Sequence, residues 1–237
     1  PARRVLAGPL AAPWAVDAIE AADQVVHLAG ALRPVDTTYW DANVETAAAL
    51  ARAVRGSAVR RIVFLSYVGA SVNAGNEYLR TKAEAERILA ATGRELVVFR
   101  CTHIVGSPEA PGPLAQALRA PAGQVVLVPG DGTQAVAPVF VGDVVAAILG
   151  ALCEGEGGTY DLAGPEAMSL NELVALVNRG EARIRHVPER LARLAALFIP
   201  SLPAALVDLM LRPALGDSSL AAGAFGIAPR SLRGLWS

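Results

Sequence analysis

The sequence predicts an α/β protein in which a parallel sheet is covered by helices on both faces. Three observations carry this. Short runs of apolar, β-favouring residues recur along the first 130 positions. Stretches with apolar residues every three to four positions lie between several of them, the period of a one-sided helix. The runs are apolar almost throughout rather than alternating, so both of their faces are buried, as in a parallel sheet joined by helical crossovers. With 237 residues, 53% of them apolar, the chain is long enough for one core with an appendage.

Taken in order, a strand is expected near Arg4 to Ala7 and another at Gln24–Leu28. A helix follows over Trp40–Val54, with Val44, Ala47, Ala48, Ala51 and Val54 on one side. Arg61–Leu65 is the next strand, ending at Ser66, and Tyr78–Ala91 the next helix. Leu96–Arg100 and Val125–Val128 read as further strands. Beyond about residue 106, Pro and Gly become frequent and the elements shorten. Asp143 is placed to cap a helix over Val144–Leu152. Ser169, with Glu172 three residues on, makes the pattern of a capping box. From about residue 181 the chain is rich in Arg, Leu and Ala and reads as helical.

Several function classes are excluded or disfavoured. The 21 basic and 22 acidic side chains leave a net charge of -1, against a protein that grips nucleic acid by its phosphates. The two cysteines, Cys101 and Cys153, make no disulfide scaffold and fit a reducing, cytoplasmic setting. The three histidines show no metal-ligand spacing, so no metal is expected. No signal peptide is visible. The chain opens Pro1-Ala2-Arg3-Arg4 without Met, so it is expected to start inside a longer one. Leu194–Leu211 is the most membrane-like stretch, but it holds Pro200, Pro203 and Asp208. It is expected to form a buried or interfacial helix pair, not a transmembrane segment, and to offer a peripheral membrane contact through 194–211.

Tyr78-Leu79-Arg80-Thr81-Lys82 is the segment richest in chemistry. Positions four apart share a helix face, so the Tyr78 phenol and the Lys82 ammonium point the same way. A nearby cation favours phenolate, so Lys82 is expected to lower the Tyr78 pKa and make it a general acid or base for a carbonyl or alcohol oxygen. Lys82 can also donate to a ribose hydroxyl. The same spacing fits an ordinary amphipathic helix. Ser66 lies at a strand's carboxyl end, the edge where open parallel sheets bind ligands. So do His27-Leu28-Ala29-Gly30 and Arg100-Cys101-Thr102-His103, and small residues there let a ligand approach the backbone.

Val26–Gly30, Asn43–Thr46, Phe64–Ser66, Tyr78-x-x-x-Lys82 and Arg100–Gly106 occur in the order and spacing of the short-chain dehydrogenase/reductase superfamily. The chain resembles its extended and atypical branch, near the NAD-dependent epimerases and the dinucleotide-binding accessory subunit of respiratory complex I. Val128–Gln134, Pro138–Val144 and Gly158–Pro165 extend the likeness, which covers residues ~5 to ~180. The resemblance implies a Rossmann-like, doubly wound parallel sheet that binds NAD or NADP and works on a small-molecule substrate. It makes Tyr78 the proton-exchanging phenol, Lys82 the ribose holder and Ser66 the residue polarising the substrate oxygen. His27, Leu28, Ala29 and Gly30 would pass the adenosine and phosphate side, and Cys101, Thr102 and His103 would face the nicotinamide. Asn43 would support the strand end.

The chain departs from the pattern in four places. No GxGxxG or GxxGxxG turn occurs, so the first strand–turn–helix unit is lacking. Gly8-Pro9-Leu10 stands where Gly-Asp-Leu is usual, Val68 or Gly69 where the catalytic hydroxyl is usual, and Cys101 where Pro is usual. Residues 1–106 are therefore read as a partial cofactor-binding core. Residues 107–237 supply the remaining strands and a small α-rich substrate or partner region packed with it. The missing unit is central in the family's sheet, so either the natural chain is longer or the two strands flanking the gap pair directly. In the second case pyrophosphate binding is expected to be lost or severely weakened. Three functions stay open: an NAD(P)-dependent oxidoreductase or epimerase-like enzyme, a non-catalytic NAD(P)-binding sensor or assembly subunit, and a scaffold without cofactor. Substrate, cofactor choice and oligomeric state are not legible.

Overall fold

The computed structural model describes Val5, residues 7–199 and residues 202–236. Its centre is a four-stranded sheet with neighbours in the order β1 (Gln24–His27), β2 (Arg61–Tyr67), β3 (Glu95–Cys101), β8 (Gly158–Leu162). All three pairings are parallel. Successive side chains of a strand point to opposite faces, and the core divides accordingly. Ile62, Phe64 and Val98 pack against α1 (Pro13–Glu20), α2 (Thr46–Ala53) and α3 (Glu77–Ala90). Val63, Val97 and Phe99 pack against α5 (Val141–Cys153) and α9 (Ser219–Phe225). Both faces are covered, as the continuous apolar strands imply.

Smaller sheets finish the molecule. β4 (Ile104–Val105) runs parallel to β7 (Val139–Phe140), and β6 (Ala135–Val136) antiparallel to β9 (Met168–Ser169). β5 (Val125–Pro129) pairs with β10 (Arg183–Val187). Short helices α4 (Gly112–Leu118), α6 (Leu170–Val177), α7 (Glu189–Ala195), α8 (Ala204–Met210) and α10 (Leu232–Leu235) lie around them. A buried cluster joins Tyr39, Tyr67 and Tyr78 with Val126, Leu170, Leu173 and Trp236, so the cavity region rests on residues from both halves of the chain.

Three expectations need correction, and a fourth falls mostly outside the described residues. The strand at Val125–Val128 forms, but in the small sheet with β10. Its alternating exposure, with Val126 and Val128 buried and Val125 and Leu127 exposed, shows why it has only one covered face. Arg183–Val187, expected as helix, is that partner strand. Asp143 lies inside the first turn of α5, which begins at Val141. Its buried carboxylate accepts from the Arg230 backbone N–H and Nε, both at 2.7 Å, and so clamps the C-terminal segment to α5. The strand expected at Arg4–Ala7 falls mostly outside the described residues. Val5 and Ala7 form none, and among the described residues β1 pairs with β2 alone.

The capping box of Ser169 and Glu172 is complete: each side chain bonds the other's backbone N–H. The Leu194–Leu211 stretch divides. Val207, Leu209 and Met210 of α8 are buried, whereas Leu197 and Phe198 are exposed. No helix among the described residues is long and apolar enough to cross a membrane.

Candidate functional site

The carboxyl ends of β1, β2 and β3 open onto a cavity of about 530 Å³, within the range of small-molecule sites. The side chains there are set by α3. Asn76 caps this helix by accepting from the Leu79 N–H at 3.2 Å, and its amide donates to Asp208 on α8. Tyr78 and Lys82 follow one turn apart on the inner face, both buried and both in the cavity wall. The chain upstream of α2 winds as a wide π-helical turn over Trp40–Glu45, which carries the buried Asn43. Asn43 donates to Thr81 at 3.1 Å and accepts from the Ala31 N–H at 3.3 Å, so it ties α3 to the loop after β1.

That loop approaches closely. Gly30 has φ +151°, and a Cβ there would stand 2.6 Å from Asn43 Oδ1 and 3.4 Å from Lys82 Nζ. Leu28 and Gly30 border the cavity; Ala29 is exposed beside them. His27 is buried behind, stacked on Phe64 at 5.5 Å, with its Nε2 unpartnered. Burial, and then Lys82, push His27 down to about 4.

The expected electrostatics of the Tyr–Lys pair needs correction. Burial pushes the Tyr78 phenol well above its ordinary value, with Cys101 and Tyr39 adding to the shift. Lys82 is itself desolvated, which brings it down to about 8, and its Nζ lies 4.3 Å from the centre of the Phe64 ring. In an apolar wall the loss of hydration outweighs the attraction that a surface pair would show.

Ser66 borders the cavity too, but its hydroxyl donates to Glu86. Glu86 also receives Arg100 in a two-pronged pair at 3.1 and 2.6 Å. β2 and β3 place Ser66 opposite Arg100 in register, so one carboxylate of α3 clasps both strands.

At the end of β3 and on the loop after it, Cys101, Thr102 and His103 line the cavity. Burial raises the Cys101 thiol to about 12. Thr102 donates to the Ala137 carbonyl at 2.6 Å. His103 Nδ1 lies 2.6 Å from the Tyr67 hydroxyl, and its Nε2 is buried without a partner. Burial holds His103 down to about 4. Tyr67, whose ring meets that of Tyr78 edge-on at 5.6 Å, is the residue sequence reasoning overlooked. A signal was there: it follows Ser66 at the carboxyl end of the same strand, the edge where open parallel sheets bind ligands.

The donor set fits one end of a dinucleotide. A lysine, a phenol and a tight glycine loop suit a ribose and its nicotinamide. The sequence has no glycine-rich turn to receive a pyrophosphate.

Comparison with known proteins agrees with this geometry. The family model described as NAD dependent epimerase/dehydratase family matches residues 8–163. Subunit 9 of the NADH dehydrogenase [ubiquinone] 1 alpha subcomplex, mitochondrial, from Arabidopsis thaliana is 31% identical over 164 residues, 66% of this chain. The match spans only 40% of that relative's length. Among solved structures, MoeE5 in complex with UDP-glucuronic acid and NAD superposes with TM-score 0.75 at 23% identity, covering 98% of this chain and 82% of that one. The UDP-glucuronic acid 4-epimerase of Bacillus cereus in complex with NAD gives 0.68 at 15% identity, over 93% and 74%. Helicobacter pylori ADP-L-glycero-D-manno-heptose-6-epimerase gives 0.70 at 16%, over 98% and 76%. These likenesses establish the Rossmann-like fold, and the family match over most of the chain settles its kinship: the chain belongs to the NAD dependent epimerase/dehydratase family.

Proposed function

We propose that this chain carries the nicotinamide half of an NAD(P)-dependent oxidoreductase or epimerase-like site acting on a carbonyl or alcohol. The observation that carries the reading is the placement of Tyr78 and Lys82, one turn apart and both buried, in the wall of one cavity at the carboxyl edge of the sheet. Bound NAD or NADP would supply or accept the hydride. Tyr78 would give its proton to the substrate oxygen or take one from it. Lys82 would hold the ribose hydroxyls, and its positive charge would favour the phenolate as it forms. Asn43 and Thr81 hold that helix face and the Gly30 loop in register. Cys101 and His103 would close the nicotinamide side, while His27–Gly30 would close the adenosine side. Ser66 would have to leave Glu86 to reach a substrate. The two free thiols, Cys101 and Cys153, favour a reducing, cytoplasmic setting.

Fluorescence titration with NADH and NADPH tests cofactor binding. Tyr78→Phe should keep cofactor affinity and lower turnover of a carbonyl substrate by about 100-fold or more. A second reading, a non-catalytic NAD(P)-binding subunit, is favoured by the commitment of Ser66 to Glu86 and by the upward shift of the Tyr78 phenol. The Arabidopsis thaliana relative is named as a subunit of an NADH dehydrogenase. Cofactor binding with no Tyr78-dependent turnover would select that reading, and absence of cofactor binding would reject both.

A further inference from the structure

Exposed apolar side chains gather on two elements that follow each other in the chain, the small β5–β10 sheet and α7. Paired residues of neighbouring strands share a sheet face, and the register sets Val125 beside Arg183 and Leu127 beside Arg185. Val126 and Val128 face the core, so the other face shows Val125, Leu127 and the two arginines to solvent. Pro188 joins β10 directly to α7. Helical turns continue past α7: the Leu197 N–H donates to the Leu194 carbonyl and the Ile199 N–H to the Ala195 carbonyl. Leu191, Leu194 and Phe198 recur three and four positions apart, so they share a face of these turns, and all three are exposed. Leu197 and Phe198 are 72% and 76% exposed, so almost nothing packs on them.

Charge accompanies this face. The whole chain has a net charge of -1, yet between residues 183 and 199 Arg183, Arg185, Arg190 and Arg193 stand against Glu189 alone. Arg193 is committed to Glu189 and to Asp208 of α8, at 2.8 and 3.1 Å. Arg183, Arg185 and Arg190 are exposed, and none of them belongs to an ion pair among the described residues.

We infer that this face docks on an anionic lipid bilayer. Leu191, Leu194, Leu197 and Phe198 enter the boundary between headgroups and acyl chains, while Arg183, Arg185 and Arg190 meet the lipid phosphates. Leucines and a phenylalanine flanked by uncommitted arginines are the pattern of a segment that lies in that boundary. A second copy of this chain fits less well. In a two-fold contact the face would meet itself, with three arginines a side and its one carboxylate, Glu189, already held by Arg193. A protein partner would have to set a carboxylate against each arginine, whereas a bilayer presents phosphates in any arrangement above a fluid apolar layer. The stretch expected to touch a membrane, 194–211, is thereby divided. Val207, Leu209 and Met210 of α8 are buried in the body, and the contact moves to the exposed surface of 183–199.

The test is flotation of the full chain with vesicles of phosphatidylcholine alone and of phosphatidylcholine–phosphatidylglycerol. Affinity for the anionic vesicles should be about a hundredfold higher, at about fivefold per arginine. Changing Arg183→Gln, Arg185→Gln and Arg190→Gln together should bring the two affinities close to each other. Leu191→Gln with Leu194→Gln should weaken binding to the anionic vesicles about tenfold. Circular dichroism checks that each variant keeps its fold. Phe198→Trp leaves the face apolar and serves even where the other variants unfold. Its emission should shift to the blue on anionic vesicles and be quenched by lipids brominated on the acyl chain. The inference is overturned if the wild-type chain does not float with anionic vesicles, if neutral vesicles bind it equally well, or if vesicles leave the Phe198→Trp emission unchanged. Self-association in the ultracentrifuge that disappears in Leu191→Gln with Leu194→Gln, without flotation, would give the face to a second copy. A chain that neither floats nor self-associates would leave it to a protein partner, and either result defeats the bilayer.

Discussion

Lowering the pH from 7 to 5 should destabilise this fold chiefly through two histidines. His27 and His103 are buried as neutral rings, each held down to about 4 by loss of hydration. In the unfolded chain both titrate near 6.5. Between 6.5 and 4 the unfolded state therefore binds more protons than the folded one, so stability is full above about pH 6.5 and is lost as pH falls toward 4. Linkage gives about 2 kcal/mol per histidine between pH 7 and 5, about 4 kcal/mol for the pair. That is a large share of the ~5–15 kcal/mol a domain commonly has. Neither ring has a partner on Nε2 that could compensate a proton there. Urea unfolding followed by circular dichroism at pH 7, 6 and 5 measures the slope. His27→Phe and His103→Phe should each remove about half of it, because the replacement ring carries no proton in either state. An unchanged slope in both variants would refute the assignment.

Three further outcomes follow from particular contacts. Gly30→Ala should cost about 3 kcal/mol, read as a fall in thermal midpoint, because its φ is strained for other residues and its Cβ would displace Asn43; a neutral change would mean the loop is free to relax. Ser169→Ala should cost about 1 kcal/mol through loss of the capping box of α6, checked by chemical denaturation. If the exposed Leu197 and Phe198 make a peripheral membrane contact, changing both to Ser should lower co-sedimentation with phosphatidylcholine–phosphatidylglycerol vesicles about tenfold, whereas equal sedimentation of both proteins would remove that role.

The central strands were legible because burial on both faces leaves a continuous apolar run, and Arg61–Tyr67 and Glu95–Cys101 are such runs. The helix carrying Tyr78 and Lys82 was legible from its spacing and composition, and the capping box of Ser169 from its two residues. Arg183–Val187 was hidden because this short edge strand is mostly exposed and its Arg- and His-containing run has no buried pattern. Asp143 was misread because a carboxylate early in a helix satisfies two different demands. Its partner Arg230, 87 residues away, exists only in three dimensions. In the site, the residue types were legible but their commitments were not. That Ser66 belongs to Glu86, and Tyr67 to His103, depends on partners 20 and 36 residues away that only the fold brings close. The direction of the Tyr78 shift depended on desolvation, which no spacing reveals.

The most direct test is saturation-transfer NMR with NADH on the wild-type chain and on Lys82→Met. Magnetisation should pass most strongly to the nicotinamide and its ribose protons, and the Lys82→Met chain should lose that transfer while Tyr78→Phe keeps it. Transfer to the adenine alone, or a signal indifferent to Lys82, would contradict a nicotinamide site at this edge of the sheet.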